Sequence, residues 1–155
     1  MKIESERLSL YPVSDREMEA LIENEKDPEL RQAYSEMLQG CLKEPENRIW
    51  YAVWYMELKD RAGTVIGDLC FKGLEANGAA EIGYGISEEY QGQGYATEAV
   101  KAICAWALTQ KGVTRIEAES APDNAASQKV LATAGFVPTG VNGEEGPRFV
   151  LEDRQ

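Results

Sequence analysis

The sequence predicts a single α/β domain, a mixed and mostly antiparallel sheet of about six to seven strands with about four helices packed on it. Three observations carry that prediction. The middle of the chain holds three short runs rich in aromatic and β-branched residues, separated by tight-turn signals, which is the pattern of an antiparallel meander. The second half alternates strand and helix patterns, and a strand–helix–strand crossover favours a parallel pair. At 155 residues the length matches one domain of roughly 150. No repeat or Pro/Ser-rich linker divides it, so residues 1–155 are read as one unit.

The elements follow in order. Arg7 to Val13 alternates, with Leu8, Leu10 and Pro12 on one side, and reads as a strand. Ser14-Asp15-Arg16-Glu17 is a capping box, and the helix after it places Met18, Leu21 and Ile22 on one face. Asp27-Pro28 opens a second helix, whose apolar stripe is Leu30, Ala33, Tyr34, Met37, Leu38 and Cys41. Trp50 to Leu58 and Thr64 to Phe71 read as strands around the turn Asp60-Arg61-Ala62-Gly63. Asn77-Gly78 is a tight-turn signal leading into a strand from Ala80 to Ser87. Thr97 to Lys111 reads as a helix with Val100, Ile103, Cys104 and Ala107 inward. Arg115 to Ser120 is a short strand, Asn124 to Ala134 a helix, and Gly135 its left-handed cap. Phe136 to Val141 and Arg148 to Glu152 form a closing hairpin.

Composition narrows the function. Hydrophobic residues at 43% and charged residues at 28% are ordinary globular usage, so disorder is not expected. The net charge of −11 argues against nucleic acid, whose backbone demands a basic face. It suits a cationic substrate and equally suits simple solubility. With no histidine there is no His-based triad, ligand or general base. Cys41, Cys70 and Cys104 lie far apart without C-x-x-C spacing, so no metal site is expected, and they read as buried thiols in a reducing compartment. The opening residues lack the apolar core of a signal peptide, and no run nears the ~20 apolar residues of a membrane span. The expected location is the cytoplasm, with no membrane partner.

The informative stretch runs from Glu81 to Ala99 and reads as strand, Gly-rich turn, helix N-terminus. Unpaired amides and the positive end of the helix dipole make such a turn an anion site. Gly92 and Gly94 permit left-handed backbone and close approach of a phosphate. A plain structural turn accounts for the same pattern. The Gly-Lys-Ser/Thr of a Walker loop is absent, and neither Gly83-x-Gly85 nor Gly92-x-Gly94 is completed into G-x-G-x-x-G.

At these residues the chain resembles the GNAT superfamily of N-acetyltransferases. Gln91-x-x-Gly94-x-Ala96 matches its Arg/Gln-x-x-Gly-x-Gly/Ala motif. The flanks Glu81-Ile82-Gly83-Tyr84 and Tyr95-Ala96-Thr97-Glu98-Ala99 are similar to the branch containing ribosomal-protein N-terminal alanine acetyltransferases. So are Glu6-Arg7-Leu8-Ser9-Leu10-x-Pro12, Asn124-Ala125-Ala126-Ser127 and Ala134-Gly135-Phe136. The resemblance runs over essentially the whole chain in the family's order. It implies a GNAT-like domain with splayed central strands, acetyl-coenzyme A as co-substrate, no metal, and transfer of acetyl to a primary amine. A homodimer is common in that family.

The resemblance also implies roles. The end of the central strand, at Tyr84, Gly85 and Ile86, would hold the pantetheine arm and polarise the thioester through backbone amides, the donors an oxyanion needs. Gln91, Gly92, Gln93, Gly94, Tyr95 and Ala96 would bind the pyrophosphate by their amides. Lys101 and Lys129 read as solvated helix charges. Asn124 would contact the coenzyme arm, and it also suits a helix N-cap. Ser127 would protonate the departing thiolate; the family's usual Tyr position is here Leu131. The acceptor ammonium must lose a proton before it attacks, which calls for a carboxylate base. Glu81 is the first choice, with Glu117, Glu119, Glu144 and Glu145 as rivals.

Tyr34, Met37, Trp50 and Trp54 read as core or as lining of an acceptor pocket. Cys104, on an apolar helix face, reads as core, so direct transfer in a ternary complex is expected. The expected acceptor is a cationic amine, either a small molecule or a protein N-terminus. A non-catalytic acyl-coenzyme A binding or sensing module is the alternative, and a structural subunit with no coenzyme affinity is a third.

Overall fold

The computed structural model describes residues 1–152. Strands and helices alternate as β1 (Ile3–Glu4), β2 (Leu8–Pro12), α1 (Asp15–Asn24), α2 (Pro28–Lys43), β3 (Val53–Leu58), β4 (Val65–Leu74), β5 (Ala79–Ile86), α3 (Tyr95–Leu108), β6 (Arg115–Glu119), α4 (Ala125–Thr133), β7 (Val137–Asn142) and β8 (Pro147–Glu152). Short 3-10 turns fill Pro45–Trp50 and Glu88–Tyr90. All eight strands join one sheet in the order β1-β2-β3-β4-β5-β6-β8-β7, with β5–β6 its only parallel pair among the described residues.

The sheet therefore has one strand more than the sequence predicts. The addition is β1, two residues paired as Ile3↔Leu10 and Glu4↔Ser9, too short to show an alternating period. Two further expectations shift. The aromatic run at Trp50 begins in the 3-10 turn, and the strand starts at Val53. The stripe of α2 is buried only at its C-terminal half, where Leu38 and Cys41 are inside; Leu30 and Ala33 are exposed.

Alternation along β3 assigns the two faces of the sheet. Trp54, Met56 and Leu58 enter the larger core, with Ala99, Val100, Ile103, Cys104 and Ala107 of α3 and Leu131 of α4. Trp50, Trp54, Phe71 and Trp106 cluster there, with Trp50 edge-on to Phe71 at 4.8 Å and stacked on Trp106 at 5.6 Å between ring centroids. Val53 points the other way, into a smaller core with Val13, Met18, Leu38, Cys41 and Ala52 beneath α1 and α2. The helices thus cover opposite faces, α3 and α4 on one side and α1 and α2 on the other. Half of the capping box forms: the Glu17 amide donates to Ser14 Oγ at 3.2 Å, but the Glu17 carboxylate accepts from the Ser14 hydroxyl at 3.3 Å rather than from its backbone amide; at α2 the Glu29 amide donates to Asp27 at 3.0 Å.

The central strands part early. β5 pairs with β6 only at Ala79↔Arg115, Ala80↔Ile116 and Glu81↔Glu117. Beyond Glu81, β5 stays with β4 through Gly67↔Ile86, while β6 stays with β8 through Glu119↔Arg148. A gap opens between them. Gly67 lets the end of β5 lie close to β4: a Cβ at Gly67 would sit 2.3 Å from the Gly85 carbonyl oxygen. Because that obstacle is backbone, Gly67→Ala is expected to cost about 1–3 kcal/mol. Thermal denaturation checks this; an unchanged midpoint would show that β4 and β5 are not tightly apposed there.

Candidate active site

A cleft of about 710 Å³ lies at the opened end of β5, between the start of α3 and α4. Its floor is Tyr84, Gly85 and Ile86, one wall is the turn from Tyr90 to Thr97, and the other is Asn124 to Thr133. Of the residues expected to bind the coenzyme, all line the cleft except Gln93. Gln93 instead faces away, its amide donating to the Glu89 carbonyl at 3.3 Å.

The glycines of the turn adopt the backbone that the sequence suggested. Gly92 has φ +76° and Gly94 φ +83°, and a Cβ at Gly92 would meet nothing within 4 Å. Gly94 is the N-cap of α3, and no side chain caps the helix. The amides of its first turn are left pointing at the cleft, with the positive end of the dipole behind them. The cradle fits a diphosphate, and Lys129 stands on its rim.

The gap has a preferred set of donors. Ser87 N donates to Ile66 O on the β4 side at 2.8 Å, and the Ile86 carbonyl accepts from the Gln91 side chain at 2.9 Å on the other. Alternation along a strand then turns the amides of Tyr84 and Ile86 toward the gap and that of Gly85 toward β4. Of the three backbone donors expected, two therefore face the opening, and Gly85 contributes an absent side chain rather than an N–H.

Across the cleft, Asn124 Oδ1 accepts from the Ser127 amide at 3.0 Å, so the N-cap role is filled. Ser127 Oγ lies 3.2 Å from the Tyr84 hydroxyl. Burial pushes the Tyr84 phenol up, against the opposing hydrogen bond from Ser127, so it stays protonated at neutral pH. Leu131, at the place of the family's usual Tyr, is fully buried in the core. A tyrosine hydroxyl reaches the cleft all the same, from β5 rather than α4. In the sequence Tyr84 stands out only for its backbone, and the fold brings its hydroxyl to Ser127. Cys104 is buried, and burial pushes its thiol up to about 12.

Arg7 and Glu98 form a clamp behind the turn that motif reading left separate. Glu98 accepts from the Arg7 backbone amide and from Arg7 Nε, both at 2.7 Å, and from Ser5 Oγ. The same guanidinium donates to the Gln93 carbonyl at 3.1 Å and lies 4.1 Å from the centre of the Tyr95 ring. Burial alone would raise the Glu98 carboxyl; Ser5 and Arg7 outweigh it and hold it below its ordinary value.

The structure does not bring Glu81 to the cleft. Glu81 lies on the opposite face of the sheet, 2.9 Å from Lys72 Nζ and 2.8 Å from Arg148. Burial would raise its carboxyl, but the two cations hold it below the usual range, which suits an ion pair better than a base. Glu117 and Glu119 share that cluster, at 3.3 and 3.0 Å from Arg148. Glu144 and Glu145 are exposed in the turn between β7 and β8.

A domain with splayed central strands and a glycine-lined anion cradle at the gap has the architecture of an acyl-coenzyme A transferase. The chain belongs to the acetyltransferase (GNAT) domain family, whose model matches residues 7–137. It is 34% identical over 84 residues to YjdG, an uncharacterized N-acetyltransferase of Bacillus subtilis, covering 54% of this chain and 50% of that one. YoaA, another from Bacillus subtilis, is 28% identical over 149 residues, 90% of this chain and 84% of that one. The match with YjdG thus spans half of that relative's length.

Among solved structures, a ribosomal-protein alanine acetyltransferase from Vibrio fischeri superposes with a TM-score of 0.73 at 19% identity, covering 97% of this chain and 94% of that one. An acetyl transferase from Salmonella typhimurium that modifies the N-terminal serine of a 50S ribosomal subunit protein gives 0.73 at 20% identity, covering 99% and 100%. Likeness at these identities establishes the fold.

The clamp makes a prediction. Arg7→Ala is expected to raise the dissociation constant for acetyl-coenzyme A by about tenfold, equivalent to ~1.4 kcal/mol. Isothermal calorimetry checks it, and an unchanged constant would show that the turn holds its shape without Arg7. Glu98 adds a pH signature. Its folded-state value is depressed, so its stabilisation is present above the ordinary carboxyl value of 4.5 and is lost as pH falls through the lower, folded one. The acid sensitivity of the midpoint below about pH 4.5 should shrink in Glu98→Gln.

Proposed function

We propose that this protein transfers an acetyl group from acetyl-coenzyme A to a primary amine within a ternary complex. One observation carries the reading: the uncapped start of α3, with Gly92 and Gly94 in left-handed backbone, adjoins the unpaired edge of β5 and the Tyr84–Ser127 hydroxyl pair in one cleft. The turn from Gln91 to Ala96 holds the diphosphate on backbone amides, and Asn124 borders the arm. The amides of Tyr84 and Ile86 point to where the thioester oxygen gains negative charge during attack. The Tyr84–Ser127 pair returns a proton to the departing thiolate. The elevated Cys104 thiol is buried in the core, which favours direct attack by the amine over an acyl-cysteine step.

The acceptor is a cationic amine. A net charge of −11 raises the local concentration of cations and speeds their encounter. The ribosomal-protein specificity of the structural relatives makes a protein N-terminus one acceptor class, and polyamines are the other.

Thermal denaturation with acetyl-coenzyme A, ATP and NADH in parallel tests the co-substrate. Ligand at about 100 times its dissociation constant adds about 2.7 kcal/mol, so acetyl-coenzyme A alone should raise the midpoint by several degrees. Release of coenzyme A thiol in the presence of spermidine or an alanine-initiated tetrapeptide tests the transfer. The value of kcat/KM for spermidine should fall with added salt. Stabilisation by acetyl-coenzyme A without thiol release from any amine would indicate the non-catalytic binding module instead.

A further inference from the structure

The face of the sheet opposite the coenzyme cleft contains a row that ends at the gap. Tyr55 on β3, Asp68 on β4 and Gly85 on β5 are direct cross-strand partners, so all three positions face the same way. Gly85 carries no side chain, and a Cβ there would meet nothing within 4 Å. Gly83, two residues back, also carries no side chain, although a Cβ there would lie 3.7 Å from Cys70 Sγ. Nothing on β5 therefore stands between the Asp68 carboxylate and the opening beside Tyr84 and Ile86.

We infer that Asp68 receives the acceptor's ammonium group on this face and takes its proton, acting as the base for the transfer proposed above, on which this assignment rests. Distance separates it from Glu81. Asp68 stands directly opposite Gly85, roughly 5 Å away between side-chain positions. Glu81 is four residues along the strand, about 13 Å from it. Commitment separates them as well. Glu81 is engaged by Lys72 and Arg148, whereas Asp68 makes no side-chain hydrogen bond or ion pair among the described residues.

The surroundings suit both functions of Asp68. Tyr34 from α2, Tyr55 from β3 and Cys70 on its own strand all face it. Burial, with the Asp68 and Glu25 charges adding to it, pushes Tyr34 up to about 12. Burial also raises Tyr55 and Cys70, so these neighbours are neutral at pH 7. Lys72, the nearest cation on β4, is spent on Glu81. Burial alone raises the Asp68 carboxyl above its ordinary value, making it a better proton acceptor than a solvated aspartate. An arriving ammonium is the missing counter-charge. A second cavity of about 210 Å³ between α1 and Tyr55, lined by Glu17, Leu21 and Asn24, leaves room on this side for the rest of the acceptor.

The proton balance closes. Asp68 takes one proton from the ammonium, and the freed nitrogen lone pair forms the bond to the acetyl carbon. When the carbon–sulfur bond breaks, the electron pair leaves on sulfur, and a second nitrogen proton reaches it through the Tyr84–Ser127 pair. Asp68 then yields its proton to solvent, giving amide, coenzyme A thiol and one released proton.

The test compares Asp68→Asn, Asp68→Glu, Glu81→Gln and Gly85→Val with the natural protein, using spermidine and an alanine-initiated tetrapeptide as acceptors. Asp68→Asn should keep the acetyl-coenzyme A thermal shift and lose about 10²–10⁴-fold in kcat/KM. The natural enzyme should lose activity as pH falls through the raised Asp68 value. The Asn variant should instead rise with pH up to the acceptor's own pKa, following the free-amine fraction. Asp68→Glu should restore part of the rate. Gly85→Val, which fills the bare row and leaves Asp68 in the chain, should weaken amine use at least tenfold when measured at saturating acetyl-coenzyme A.

Natural activity and pH dependence in Asp68→Asn would overturn the assignment. So would the same loss and profile change in Glu81→Gln, or natural amine use by Gly85→Val. Absence of turnover by the natural protein with both amines would overturn the transferase reading itself, and the role of Asp68 with it.

Discussion

The site depends on one constraint, the three-residue limit on pairing between β5 and β6. Two strands that continued together would bond the amides of Tyr84 and Ile86 to β6 and leave no gap. They part because each is held more firmly on its outer edge. β6 runs its full length against β8, and β5 follows β4 from Ala80 to Ile86 across one irregularity between Phe71 and Leu74. At the point of departure Arg148 on β8 reaches across β6 to Glu81 on β5, touching Glu117 and Glu119 on the way. Each of these partly exposed pairs contributes little, about 0–1 kcal/mol, but together they hold three strands where backbone pairing ends. Glu81 has its use here, as the staple at the base of the opening.

The same opening lets the two faces of the sheet divide the work. The α3 and α4 side supplies backbone amides, a helix dipole and two hydroxyls, all suited to an anionic, nucleotide-bearing molecule. The α1 and α2 side supplies carboxylates and tyrosines, suited to a cation. In the proposed reaction the amine and the thioester would meet through the sheet rather than over its edge. Two glycines on the bare face of β5 make that meeting possible. Rigid strands would position the reacting groups, and the Arg7–Glu98 clamp holds the turn that the proposal assigns to the coenzyme.

Much of this was legible from the chain. The meander, the parallel crossover and the anion-binding turn each left a local signal: an alternating run, an Asn77-Gly78 turn, a glycine pair before a helix. The resemblance to the GNAT family added the order of the parts. Other features had no local signal. β1 is too short to alternate. Leu30 and Ala33 continue the period of α2, but the helix runs past the edge of what it covers. Asp68 is a single acidic residue among 27, and nothing in its neighbours reveals that it faces Gly85. Arg7 and Glu98 were each visible within a motif, but their contact joins residues 91 positions apart. Glu81 was favoured because it stands in a motif, and its partners Lys72 and Arg148 come from two other strands.

Residue-resolved hydrogen exchange, measured with and without coenzyme A, tests the central claim most directly. The amides of Tyr84 and Ile86 should exchange readily in the free protein and become protected when coenzyme A binds, together with those from Gly92 to Ala96. The Gly85 amide, facing β4, should be protected in both states. Unchanged exchange at Tyr84 and Ile86 in coenzyme-saturated protein would contradict the account, because the arm would then lie outside the gap between β5 and β6.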